Sequence, residues 1–154
     1  MADAMGFEVE VNCSANMFYG FFKNKVTQLA NHFPETYKRI QVIKGDGTSV
    51  GSVCLWKIEL DGRFITQKAE MIAVNSENKS ITWNFLKGGD VMNLYKSFQI
   101  KLVSVTPTGE ESCLVEWSVN YENARGDYLL IPTGFINLLR KISVKLPSQL
   151  NKQG

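Results

Sequence analysis

Apolar residues alternate with polar ones at the start of the chain, then recur every third or fourth position, then alternate again over a long stretch. Phe7, Val9 and Val11 alternate with Glu8 and Glu10, the period of two expected of a half-buried strand. Ser14 can cap a helix by accepting from an orphan backbone N–H, and Phe18, Phe21 or Phe22, Val26, Leu29 and Phe33 follow at helical spacing. That stripe predicts two short helices, broken near Asn24 and closed by Pro34. From Tyr37 to about Tyr121 the period is two. Ile40 and Val42 lead to the loop Gly45-Asp46-Gly47, and Val53 to Leu60 turns at Asp61-Gly62, a hairpin dipeptide, into Phe64 to Val74. Ile81, Trp83 and Phe85 form the next alternating run, then Phe98, Ile100 and Leu102, then Val115, Trp117, Val119 and Tyr121. Asn75 to Lys79, Gly88-Gly89-Asp90 and Pro107-Thr108-Gly109 are the turns between them. Ile131, Phe135, Leu138, Ile142 and Leu146 make one apolar helical stripe, so a regular helix is expected from Pro132 or just after it.

The order strand, helices, about six strands, long helix predicts an α+β fold. One curved antiparallel sheet around one long helix is the economical arrangement, because each has a single apolar face to bury. No repeat or linker interrupts the pattern, so residues 1–154 are expected to form a single domain.

Composition narrows the function classes. Hydrophobic residues at 44% and charged residues at 21% fit a soluble globular chain and argue against disorder. A net charge of +2 is too even to announce a nucleic-acid partner, and the basic excess sits in the tail, at Arg140, Lys141, Lys145 and Lys152. Those charges most simply solvate the outer face of the last helix. Cys13, Cys54 and Cys113 are odd in number with no close pair, and His32 is the single histidine, so neither a disulfide framework nor a metal site is expected. Asp3, Glu8 and Glu10 stand where a signal peptide would carry basic and apolar residues, and no apolar run is long enough for a membrane helix. A cytoplasmic monomer without membrane insertion is the expectation.

The run Gly45-Asp46-Gly47-Thr48-Ser49-Val50-Gly51-Ser52-Val53, with Trp56 and Asp61-Gly62 after it, resembles the major latex protein branch of the plant birch-pollen-allergen superfamily. Glu77-Asn78-Lys79-Ser80-Ile81-Thr82, Gly88-Gly89-Asp90-Val91-Met92 and Tyr95-Lys96-Ser97-Phe98 extend the resemblance, which runs from about Phe7 to Tyr121. It implies a helix-grip fold: a seven-stranded sheet wrapped on a long C-terminal helix, two short helices supporting one end, and a cavity between helix and sheet. It also implies a cytosolic plant protein that binds a hydrophobic small molecule such as a hormone, sterol, terpenoid, alkaloid or phenolic, with a role as carrier or in defence and stress. Some relatives are cyclases or isomerases. Two departures stand out: Gly47 occupies a position where many latex-type members carry Trp, and the segment from Asp127 onward resembles the family weakly.

Candidate site residues follow from the strand faces. Trp56, Ile58, Phe64, Ile81, Trp83 and Phe85 are expected on the concave side, with Phe98, Ile100, Val115 and Trp117. Phe135, Leu138, Leu139 and Ile142 would face them from the helix, and Phe22, Cys54 and Thr66 complete the expected wall. Periodicity alone does not distinguish a filled core from a hollow one. Catalysis in such a space would need a buried ionisable group. His32 is one candidate, Lys68 and Glu70 on one face of a strand are two more, and Tyr121 could donate a phenolic hydrogen bond. A solvated Lys68–Glu70 pair is the plainer reading. The glycine-rich loop lacks the Gly-Lys-Ser/Thr ending of a nucleotide-binding loop and precedes no helix, so it reads as a hairpin connection. No cofactor is expected.

Overall fold

The computed structural model describes residues 3–124 and 132–151. Seven strands form one antiparallel sheet: β1 (Asp3–Val11), β2 (Tyr37–Lys44), β3 (Val53–Leu60), β4 (Arg63–Asn75), β5 (Ser80–Phe85), β6 (Tyr95–Gly109) and β7 (Ser112–Asn123). Their order across the sheet is β1-β7-β6-β5-β4-β3-β2, so consecutive strands pair from β2 to β7 and the first strand joins the last. Because β1 and β2 are the two edges, the chain between them must cross the open side of the sheet. It does so as α1 (Ala15–Asn24), a 3-10 turn (Val26–Gln28) and α2 (Leu29–His32). Ser14 caps α1 as its sequence position suggests, its hydroxyl accepting from the backbone N–H of Met17 at 3.1 Å.

The sheet curves because its ladders slip. Register shifts fall in β2 at Tyr37/Arg39 and Val42/Lys44, in β4 at Met71/Ala73, and in β6 at Tyr95/Ser97 and Leu102/Ser104. Each such irregularity bends the strand and tightens its twist. The β3–β4 hairpin closes on Asp61 and Gly62, both at positive φ, which matches the right-handed twist of the flanking strands and pairs Leu60 with Arg63.

Into this concavity lies α3 (Thr133–Asn151). Its buried residues Phe135, Ile136, Leu139, Ile142, Ser143 and Leu146 meet the sheet, and the expected start just after Pro132 agrees with the observed one. Ile131, the first residue of the expected stripe, lies outside the described residues. Arg140 is exposed, as expected of the outer face, and its guanidinium also lies 4.6 Å from the Phe7 ring centroid, linking α3 to β1. Pro147 sits inside α3 and removes the N–H that would bond to the Ser143 carbonyl, yet the helix runs on to Asn151.

Candidate functional site

Between α3 and the β3–β4–β5 part of the sheet the interior is hollow. Trp56 and Ile58 of β3, Ile65, Gln67 and Ala69 of β4, and Trp83 and Phe85 of β5 point into it, with Ile100 and Trp117 beyond them. Phe135, Leu138, Leu139 and Ile142 close it from α3, and Phe22, Val26, Leu29 and Tyr37 close one end. The centre of a water-sized sphere can reach about 70 Å³ of it, within about 640 Å³ of unfilled space that includes its opening to solvent. A smaller space, about 230 Å³ on the same inclusive measure, lies beside it beneath the glycine-rich loop, lined by Gly47, Ser52, Cys54 and Met71 among others. Val26, Trp56, Ala69 and Trp83 border both.

Polar groups on this wall are few, and most are already engaged. Gln67 is buried at 4% exposure and satisfied on every side. Its Nε2 donates to the carbonyls of Leu86 at 2.6 Å and Lys68 at 2.9 Å, and its Oε1 accepts from the backbone N–H groups of Val91 and Met92. The carboxamide therefore belongs to the β5–β6 loop as much as to the cavity. Trp117 donates through Nε1 to the Ser143 hydroxyl at 2.9 Å, tying β7 to α3. The Trp56 Nε1–H is different: it is buried and has no hydrogen-bond partner. Tyr37 packs edge-on against the Trp56 ring, centroids 5.9 Å apart, and burial pushes its phenol well above the ordinary value, so it stays protonated. Among the described residues the main cavity wall carries no carboxylate, amine or imidazole.

Several residues expected on the wall lie elsewhere. Phe64 and Thr66 are exposed on the convex face, and Ile65, Gln67 and Ala69 take the inward positions. The hairpin register decides this, because pairing Ile58 with Ile65 and Trp56 with Gln67 sends every even-numbered residue from Phe64 to Glu70 outward. Lys68 and Glu70 share that outward face, Lys68 exposed and Glu70 half-buried. The Lys38 and Lys57 ammonium groups sit over the exposed Phe64 ring at 5.7 and 6.0 Å. Ile81, Phe98 and Val115 point inward but are fully buried in solid packing; Phe98, for example, lies 4.7 Å from Phe85 and 5.1 Å from Phe135 between ring centroids. Cys54 lines only the smaller space, where burial raises its thiol. His32 packs on Phe21 at 5.6 Å with its Nε2 buried and unpartnered, away from the cavity wall. Tyr121 packs edge-on against Tyr95 at 5.8 Å, also off the wall.

The remaining cysteines are chemically quiet. Cys13 and Cys113 are buried side by side, and burial with the neighbouring Cys113 pushes the Cys13 thiol up to about 12.

The glycine-rich loop uses its own amides. The Asp46 carboxylate accepts from the backbone N–H of Thr48 at 2.8 Å and of Ser49 at 2.9 Å, and from the hydroxyls of Ser49 and Ser52. Those bonds, the one from Thr48 first, hold its pKa far below the ordinary carboxylate value. Gly47 N–H goes to Ser52 Oγ, and Lys23 of α1 donates to the Thr48 carbonyl at 2.7 Å. A loop whose amides are bonded internally does not cradle a phosphate. Gly45, Gly47 and Gly51 at positive φ supply the turn geometry.

A curved seven-stranded sheet gripping a C-terminal helix, with two short helices after the first strand and a hollow between, defines the helix-grip class. The chain belongs to the pathogenesis-related protein Bet v 1 family, whose model matches residues 1–153. Among its relatives, major latex protein 146 of Papaver somniferum is 32% identical over 143 residues, covering 93% of this chain and 87% of that protein. MLP-like protein 43 of Arabidopsis thaliana is 33% identical over 115 residues, covering 75% of this chain and 72% of that one. The crystal structure of ginseng major latex-like protein 151 from Panax ginseng superposes with a TM-score of 0.85 at 24% identity, over 98% and 97% of the two chains. Norcoclaurine synthase from Thalictrum flavum shares the fold at a TM-score of 0.76 and 23% identity, over 95% and 86%. No helix among the described residues is long and apolar enough to cross a membrane.

Proposed function

We propose that this chain binds a hydrophobic plant small molecule in the cavity between sheet and α3 and serves as its carrier in the cytoplasm. The observation that carries this reading is the wall: aromatic and aliphatic side chains around unfilled space, with Gln67 already bonded and no charged group among the described lining residues. Such a wall gains affinity from buried apolar area and uses few polar contacts for orientation. A cavity-based isomerase or cyclase has less support, because His32, Lys68, Glu70 and Tyr121 all stand off the wall. A proton-transfer role needs a group within hydrogen-bond reach of the substrate.

The test is titration with Nile red, a neutral dye whose fluorescence rises in apolar surroundings. We expect saturable binding by the folded protein, and an affinity about tenfold weaker in Ala69→Leu, which fills space that both hollows share. Absence of saturable binding by the wild-type protein overturns the reading.

A further inference from the structure

Trp56 has an unusual position for a tryptophan in a greasy wall. Its ring borders both the main cavity and the smaller space under the glycine-rich loop, and its Nε1–H is buried with no acceptor. A buried donor left unpaired costs roughly 1–3 kcal/mol, which folding has not recovered here by any protein contact. The comparison with Trp117 on the same wall is direct: its indole N–H has Ser143 Oγ at 2.9 Å. Beside Trp56 on the same wall stands Tyr37, whose ring meets it edge-on at 5.9 Å. Gln67, the remaining strongly polar side chain, has all its bonds within the protein.

We infer that Trp56 Nε1–H, assisted by the Tyr37 hydroxyl, is a recognition point for an oxygen acceptor on the ligand, and that the ligand is a neutral, mostly apolar carbonyl compound. Neutrality follows from the absence of any cationic side chain among the described wall residues, since a carboxylate buried there would have no counter-charge. An acceptor is required because an indole N–H can only donate. A ketone, lactone or similar carbonyl meets both conditions; a pure hydrocarbon leaves the donor unpaired. The inference rests on the binding role proposed above and adds the chemistry of its selectivity.

A matched pair of probes tests it: 2-acetylnaphthalene and 2-ethylnaphthalene, nearly equal in shape and differing in the carbonyl. Trp56→Phe removes the N–H and keeps an aromatic ring. We expect the ratio of ketone to hydrocarbon affinity to fall about fivefold in Trp56→Phe, within the range of one net hydrogen bond, while hydrocarbon affinity stays within about twofold. Independently of how that variant folds, the Trp56 indole N–H resonance of the wild-type protein is expected to move downfield with the ketone and not with the hydrocarbon. An unchanged ratio, or an indole resonance that responds alike to both probes, overturns the carbonyl assignment and leaves the cavity reading standing. Failure of both probes to bind the wild-type protein overturns the cavity reading and this inference with it.

Discussion

Toward β6, β7 and the end of α3 the space beneath the sheet is solid, whereas toward β3, β4 and the start of α3 it is hollow. Both regions draw on the same kinds of side chain. In the solid part Leu102, Val115 and Leu146 are at 0% exposure. The Trp117–Ser143 bond holds β7 and α3 at a fixed distance there. In the hollow part the inward residues of β4 are held back. Ala69 is small, and Gln67 is drawn sideways into the β5–β6 loop by three of its four hydrogen bonds. Hydrophobic content therefore does not decide whether a core fills; the anchoring of a few side chains away from the centre does.

The sharpest way to break this contrast is one substitution made twice on the same helix. Leu146→Ala is expected to lose about 3–4 kcal/mol, because it opens a cavity in close-packed surroundings. Leu138→Ala, at the edge of space already unfilled, should lose only about 1 kcal/mol. Equal losses in denaturant titrations would erase the difference between the regions. Next comes Gln67→Leu, which strands the Leu86 carbonyl and the Val91 and Met92 amides; a destabilisation of about 2–3 kcal/mol is expected, with faster hydrogen exchange at Val91 and Met92. A stable variant with unchanged exchange would mean that Gln67 does not hold the hollow open. The smallest effect is expected from Phe64→Ala on the convex face: stability within about 0.5 kcal/mol and dye affinity unchanged. A loss of dye binding in that variant would place Phe64 in the site after all.

Most of the architecture was legible in the residue pattern because β3, β5 and β7 each present one apolar face. The long run of β4 was not, for a physical reason. Phe64 and Ile65 are adjacent and both apolar, so parity at that end of the strand is ambiguous until the Asp61–Gly62 turn sets the register. The same parity that carries Lys68 and Glu70 outward carries Phe64 and Thr66 with them, and it turns Gln67 inward between Ile65 and Ala69. A lone polar residue in a strand reads as solvent-facing from its type, and its partners here come from a loop about twenty residues on. The Trp117–Ser143 contact was equally silent, since nothing local links β7 to the middle of α3. The separation of the solid residues Ile81, Phe98 and Val115 from the hollow ones depends on volumes that periodicity does not encode.

Gln67 also bears on how a sequence of this kind can drift. A β-carbon placed on Gly89 would lie 2.2 Å from the Gln67 amide oxygen, so position 89 has room for a side chain only if position 67 gives it up. The constraint runs one way: position 89 stays glycine while Gln67 stays, whereas a change at 67 is opposed by the loss of its bonds to Leu86, Val91 and Met92 and not by Gly89. The hollow beside β4 is thereby insulated from gradual substitution. New cavity shapes on this scaffold arise more readily at wall positions such as Leu138 and Ile100, whose apolar side chains hold no loop by hydrogen bonds.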